Sequence, residues 1–216
     1  MSDTLVGRGV RIEIGKTVGA AKVVSAVTQA NPGVATSTSH GLSDGAVGYL
    51  DAVAGMVNID GMAIRIDNPA TNTFELQGVD TTDYPAFTAG SFYPVTAWST
   101  LARASAYSIG GGEADSLDDT LLLNTIRQER NGLLAAQSVS IPIKSLTSDD
   151  EAIGLIRAAA ISQDYLVFRI TLSDGSMRVF RGQPSMPGED VQQGQIGTGS
   201  ISVKVKGFVL FLPPVA

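Results

Sequence analysis

Cysteine is absent from the 216 residues, and histidine and tryptophan occur once each. Without cysteine there are no disulfides, no thiolate metal ligands and no cysteine nucleophile. One histidine, His40, excludes histidine-rich metal sites and any mechanism that needs two imidazoles. Basic residues are scarce: 15 Lys and Arg stand against 21 Asp and Glu, giving a net charge of −6. Grip on nucleic-acid phosphates rests on clustered Lys and Arg, so this balance argues against a nucleic-acid binder. It leaves room for DNA that passes without being held. Long apolar runs are missing too; the longest, 207–215, is too short to span a bilayer, so no membrane partner is expected. The start Met1-Ser2-Asp3-Thr4 lacks the basic and apolar regions of a signal peptide, and synthesis in a cytoplasm is the expectation.

Glycine is abundant. The 24 glycines make up about 11% of the chain against an average near 7%. With plentiful Ser, Thr and Val, this composition predicts short strands joined by glycine-rich turns. Residues 9–15 alternate, with Val10, Ile12 and Ile14 on one face and Arg11 and Glu13 on the other, which predicts a half-buried strand. Strands are expected at 21–29, 34–39, 47–53, 63–67 and 73–77, punctuated by Ala30-Asn31-Pro32-Gly33, Asp60-Gly61 and Asn68-Pro69. Between 21 and 98 seven acids face only Lys22 and Arg65, whereas the rest of the chain is nearly neutral. That shift marks 21–98 as an inserted subdomain.

Further strands are predicted at 101–109 and 133–144, with a polar excursion between them from Gly110 to Gly132. Its apolar residues sustain no helical stripe, and either a short helix or a long hairpin or loop fits 118–130. A helix is predicted over 148–162, with Ser148 as N-cap and Glu151 closing a capping box. Asp174-Gly175 between alternating runs predicts a hairpin of 165–172 with 177–181. A loop is expected at 182–194, and 196–212 reads as a long final strand.

No constellation supports an enzyme. His40 sits in a His-Gly-Leu turn with no triad around it. Asp115, Asp118 and Asp119 lack the spacing of a calcium loop, and Asp149, Asp150 and Glu151 suit a helix N-terminus. Gly110-Gly111-Gly112 is not followed by the Lys-Ser/Thr of a phosphate loop. No metal, cofactor or catalytic residue is therefore expected.

Several blocks together resemble the major tail tube proteins of phage lambda and its relatives. They are Trp98-Ser99-Thr100-Leu101-Ala102-Arg103, Gly112-Glu113, Ser116-Leu117-Asp118-Asp119-Thr120, the acid-capped helix leading to Tyr165, Asp174-Gly175 and Val179-Phe180-Arg181-Gly182, in that order. The resemblance covers 98–212 closely and 1–16 loosely. Segment 21–98 is similar instead to small β-barrel modules of phage tail proteins, through Ser39-His40-Gly41-Leu42-Ser43-Asp44-Gly45 and Asn72-Thr73-Phe74-Glu75-Leu76.

The resemblance implies a mainly β fold: a tail-tube β-sandwich or barrel from 1–20 and 99–216, one flanking α-helix, and an inserted, outward-facing β subdomain at 21–98. It implies a structural virion protein of a siphophage whose hexameric rings stack into a tube that conducts the genome during ejection. Implied partners are further copies of the chain, a tape measure protein in the lumen, tail terminator and tail-tip or baseplate proteins, and DNA as transient cargo. The Gly110–Gly132 segment would reach the next ring, with Asp118, Asp119, Arg127, Glu129 and Arg130 offering charge pairs and Leu121, Leu122, Leu123 and Ile126 offering burial. Glu13 is a candidate lumen residue. The lambda protein lacks the insert and carries a C-terminal immunoglobulin-like decoration, so the insert is expected to take the decorating position. Its replacement by a short turn should then leave assembly intact. The alternative reading is a baseplate or receptor-binding component that holds carbohydrate on Tyr49, Tyr84, Phe87, Phe92 and Tyr93.

Overall fold

The computed structural model describes residues 9–144 and 150–214. Its strands are β1 (Arg11–Val18), β2 (Lys22–Val24), β3 (Ala26–Val27), β4 (Gly33–Thr36), β5 (Val47–Ala54), β6 (Ala63–Asp67), β7 (Thr73–Leu76), β8 (Ala89–Thr100), β9 (Ser108–Gly110), β10 (Ala114–Asp118), β11 (Glu129–Leu134), β12 (Ser138–Lys144), β13 (Leu166–Thr171), β14 (Met177–Pro184), β15 (Gly188–Asp190) and β16 (Thr198–Leu212). The helix α1 spans Glu151–Ser162. The fold is mainly β, as the composition predicts, and its named strand pairs are antiparallel.

Strand β8 belongs to two assemblies. Its first half pairs with β2 and β5, ending at Gly48↔Pro94. Its second half pairs with β1, beginning at Val18↔Val95. Pro94 thus stands at the handover, where a residue with no N–H to give a ladder is tolerated. Pro94 and Gly90 also hide this strand from sequence reading, which places it at 101–109 instead. Residues 101–107 in fact leave the sheet and cross to β12. There Ser105 N–H donates to Pro142 O at 2.9 Å and Lys144 N–H to Arg103 O at 3.0 Å. Segment 133–144 is likewise not one strand, because β11 ends at Leu134 and β12 begins at Ser138.

The body sheet runs β8-β1-β13-β14-β16-β12-β9. The crossing segment joins its two ends, so the sheet curls around a core of Ile12, Ile14, Ile141, Phe168, Phe180 and Ile201. Phe168 stacks on Phe180 at 5.1 Å. Helix α1 covers this core with Ala152, Ile153 and Ile156. Its N-cap is Asp150, whose carboxylate accepts from Ala152 N–H at 3.0 Å. This corrects the expected capping box: Ser148 lies outside the described residues, and Glu151 bonds instead to Lys16 and, at 3.1 Å, to Ser99 Oγ.

Segment 21–98 forms a second closed array. The stretch 22–27 pairs with β8 through β2 and with β4 through β3. The path β8-β5-β6-β7-β4-β3 therefore returns to β8 around Leu50, Ile64, Ile66, Phe74, Leu76 and Phe92. That core does not stop at the module. Val167, Met177, Val179, Leu210 and Leu212 of the body sheet belong to the same cluster. Successive residues on β14 serve both layers, with Val179 in the module's cluster and Phe180 in the helix-covered one, each fully buried. Polar ties cross the junction as well: Lys206–Asp60 at 3.3 Å, Arg65 to Pro213 O at 2.6 Å, and the Arg181 guanidinium 3.9 Å from the centre of the Tyr49 ring.

Candidate functional site

His40 is a structural residue. It is 2% exposed, with Nε2 at 3.2 Å from Thr73 O and Nδ1 accepting from Leu42 N–H at 3.0 Å. Its ring meets Phe74 edge-on at 5.2 Å. Both ring nitrogens are engaged in holding the turn. The aromatics proposed for a carbohydrate groove serve the module's core. Phe92 is fully buried, Tyr49, Tyr84 and Phe87 pack against the cluster, and Tyr93 stacks on Tyr49 at 5.2 Å.

The polar excursion is a hairpin rather than a helix. Strands β10 and β11 pair with each other, in register Leu117↔Arg130 and Asp118↔Glu129, and form a two-stranded sheet separate from the main one. The turn is locked at its neck: Asp119 N–H donates to Gln128 O at 2.9 Å, and Gln128 N–H to Thr120 Oγ at 3.0 Å. Bonds from the Thr120 hydroxyl and then from its N–H hold the Asp118 carboxyl below its ordinary value.

The two classes of expected site residue separate here. The charged ones are satisfied within the hairpin. Arg127 lies 3.2 Å from Glu129 and 3.6 Å from Asp118, and Arg130 pairs with Asp119. Such exposed pairs contribute about 0–1 kcal/mol each and mainly set the hairpin's shape. Among the described residues the apolar ones have no partner surface: Leu121 is 67% exposed, Leu122 106% and Ile126 77%, with Leu123 equally bare. Leu117, Leu133 and Leu134, on the strands of the hairpin, are exposed as well. The sequence reading left them out of the site; the adjacent apolar pair 133–134 was absorbed into the strand predicted at 133–144.

Glu13 is placed differently from the reading of a half-buried strand. Residues Ile12, Glu13, Ile14 and Gly15 are all buried, because β1 is covered on both faces. The Glu13 carboxylate accepts from Arg169 Nε at 2.7 Å, and Arg169 in turn lies over the Trp98 ring at 4.1 Å. Its charge is neutralised inside the chain.

One half-open cavity of about 460 Å3 lies near the root of the hairpin. Val10 and, from β1, Arg11 and Ile12 line one side, and Leu101, Ala104 and Tyr107 of the crossing segment line the other.

A family model described as phage tail tube protein, TTP, matches residues 54–208, more than half of the chain. The chain belongs to the phage tail tube protein family. The match starts inside segment 21–98 and carries through β8, the hairpin and the helix into β16. No curated protein gives a significant match to the chain. Membership makes this a structural protein of the phage tail that assembles with other tail proteins. Among the described residues no helix is long and apolar enough to cross a membrane.

Proposed function

We propose that the tail tube protein forms hexameric rings that stack into the tube of a siphophage tail, and that the genome passes through the lumen during ejection. The observation that carries this reading is the projecting hairpin, whose charges are internally paired and whose Leu121, Leu122 and Ile126 are bare. An element that exposes so much apolar surface is stabilised by a neighbouring subunit, and in a stack that neighbour belongs to the next ring. The net charge of −6 suits a conduit, since carboxylates repel phosphates and keep DNA sliding. Exposed carboxylates supply that wall rather than Glu13, which Arg169 already satisfies. Segment 21–98 faces outward in this arrangement, where its acidic surface does not narrow the pore. The tape measure protein fills the lumen before ejection, and terminator and tip proteins cap the two ends. Synthesis takes place in the host cytoplasm.

The test compares the wild-type chain with a Leu121→Ser, Leu122→Ser, Ile126→Ser variant by sedimentation and negative-stain electron microscopy. Wild type is expected to form tubes with a central hole. The variant is expected to stay monomeric with an unchanged melting temperature, because exposed substitutions move stability by only about 0.5 kcal/mol. Tubes from the variant at wild-type concentration would refute the role of the hairpin. Antibody that labels only the tip of the virion tail would refute the tube itself.

A further inference from the structure

We propose that the tip of the β10–β11 hairpin docks into the cavity beside Leu101 and Tyr107 of a second copy of this chain. The inference rests on the proposed reading of the hairpin as an intersubunit arm, and it names the receptor. Knob and hole match in chemistry: the tip offers Leu121, Leu122 and Ile126, and the cavity walls carry Val10, Ile12, Leu101 and Tyr107. They match in scale, since about 460 Å3 falls within the roughly 300–1,000 Å3 of pockets that enclose compact apolar groups. They match in charge. The hairpin carries four carboxylates, Asp115, Asp118, Asp119 and Glu129, against Arg127 and Arg130, while Arg11 lines the cavity and the exposed Arg103 lies between two lining residues.

A hairpin cannot fill its own chain's cavity. Tyr107 lines the cavity and immediately precedes β9, from which the hairpin departs. At about 3.4 Å per residue, the arm from Ala114 to Leu121 carries the tip roughly 24 Å from its root. Tip and hole are different patches on one molecule, so their contact is heterologous. Such a contact repeats head to tail rather than closing a twofold dimer, and where its rotation does not close a ring it builds an open stack. One contact of this kind per subunit fixes both the direction of stacking and the rotation between successive layers.

The cysteine-free sequence permits a direct test, because introduced thiols are the only ones present. Leu122→Cys and Ala104→Cys chains are mixed in equal amounts, concentrated, oxidised mildly and run on a non-reducing gel beside electron micrographs of the same sample. The expected result is an adduct of twice the chain mass, several-fold above either variant alone. It should equally exceed a mixture of Leu122→Cys with Val23→Cys, which places the second thiol on an exposed site of β2. Tubes without an adduct above the Val23 control would overturn this inference and leave the proposed function standing. Failure to assemble at any concentration would overturn both. Internal closure of a Leu122→Cys, Ala104→Cys double variant at high dilution would also overturn it, since the tip would then occupy its own cavity.

Discussion

Replacing residues 21–98 by a short Gly/Ser turn should unfold the protein, the reverse of what a detachable decoration implies. The replacement bares Val167, Met177, Val179, Leu210 and Leu212, which the module's core covers and which are at most 8% exposed. At about 1.5–3 kcal/mol for each fully buried aliphatic side chain, the lost burial is roughly 8–15 kcal/mol. An extended unfolded reference makes this an upper figure, yet it is comparable to the roughly 5–15 kcal/mol by which whole domains are stable. The cut also removes the β1 pairings Gly15↔Trp98, Thr17↔Ala97 and Val18↔Val95. It takes the partners Asp51 and Asp60 from Arg181 and Lys206. Urea titration followed by far-UV circular dichroism is the assay. A Leu212→Ala variant of the intact chain gives a graded version, with an expected loss of about 2–5 kcal/mol. A monodisperse replacement variant with a cooperative transition near the wild-type midpoint, or a neutral Leu212→Ala, would refute the shared core.

Two further outcomes test the packing and the helix anchor. Gly48→Ala should destabilise by at least the roughly 1–3 kcal/mol typical of overpacking, because an added Cβ would overlap Tyr93 O and sit 2.6 Å from Phe92 Cζ; a urea midpoint equal to wild type by Trp98 fluorescence would contradict this. Bonds from Lys16, then Ser99, depress the Glu151 carboxyl below its ordinary value of 4.5. A depressed carboxylate stabilises the fold above that value and loses its contribution as pH falls through the lower folded one. Glu151→Gln should therefore melt earlier than wild type at neutral pH, with the gap closing as pH drops well below 4.5. A gap that is constant with pH would show that the ionised carboxylate contributes nothing.

By itself the sequence determined the local structure wherever one residue type suffices for a conformation. Alternation gave β1, β13 and β16, Asp174-Gly175 gave the β13–β14 turn, and the acidic run with its apolar face gave α1. The ordered blocks from Trp98 to Gly182 carried the family resemblance, and the apolar tip residues stood out within a polar segment. Tertiary structure decided what depends on distant partners. Strand β8 exists because β5, β2 and β1 supply its ladder around Gly90 and Pro94, residues that locally argue against a strand. Asp150 caps the helix, and Lys16 and Ser99 hold the Glu151 carboxylate. Glu13 loses its place on a polar face because Arg169, some 156 positions later, buries and neutralises it. The module looked separable because charge shifts at its borders, but charge patterning reports surface, whereas Val179 and Leu212 join the layers through burial. Burial is a property of the assembled layers, and no local window of sequence contains it.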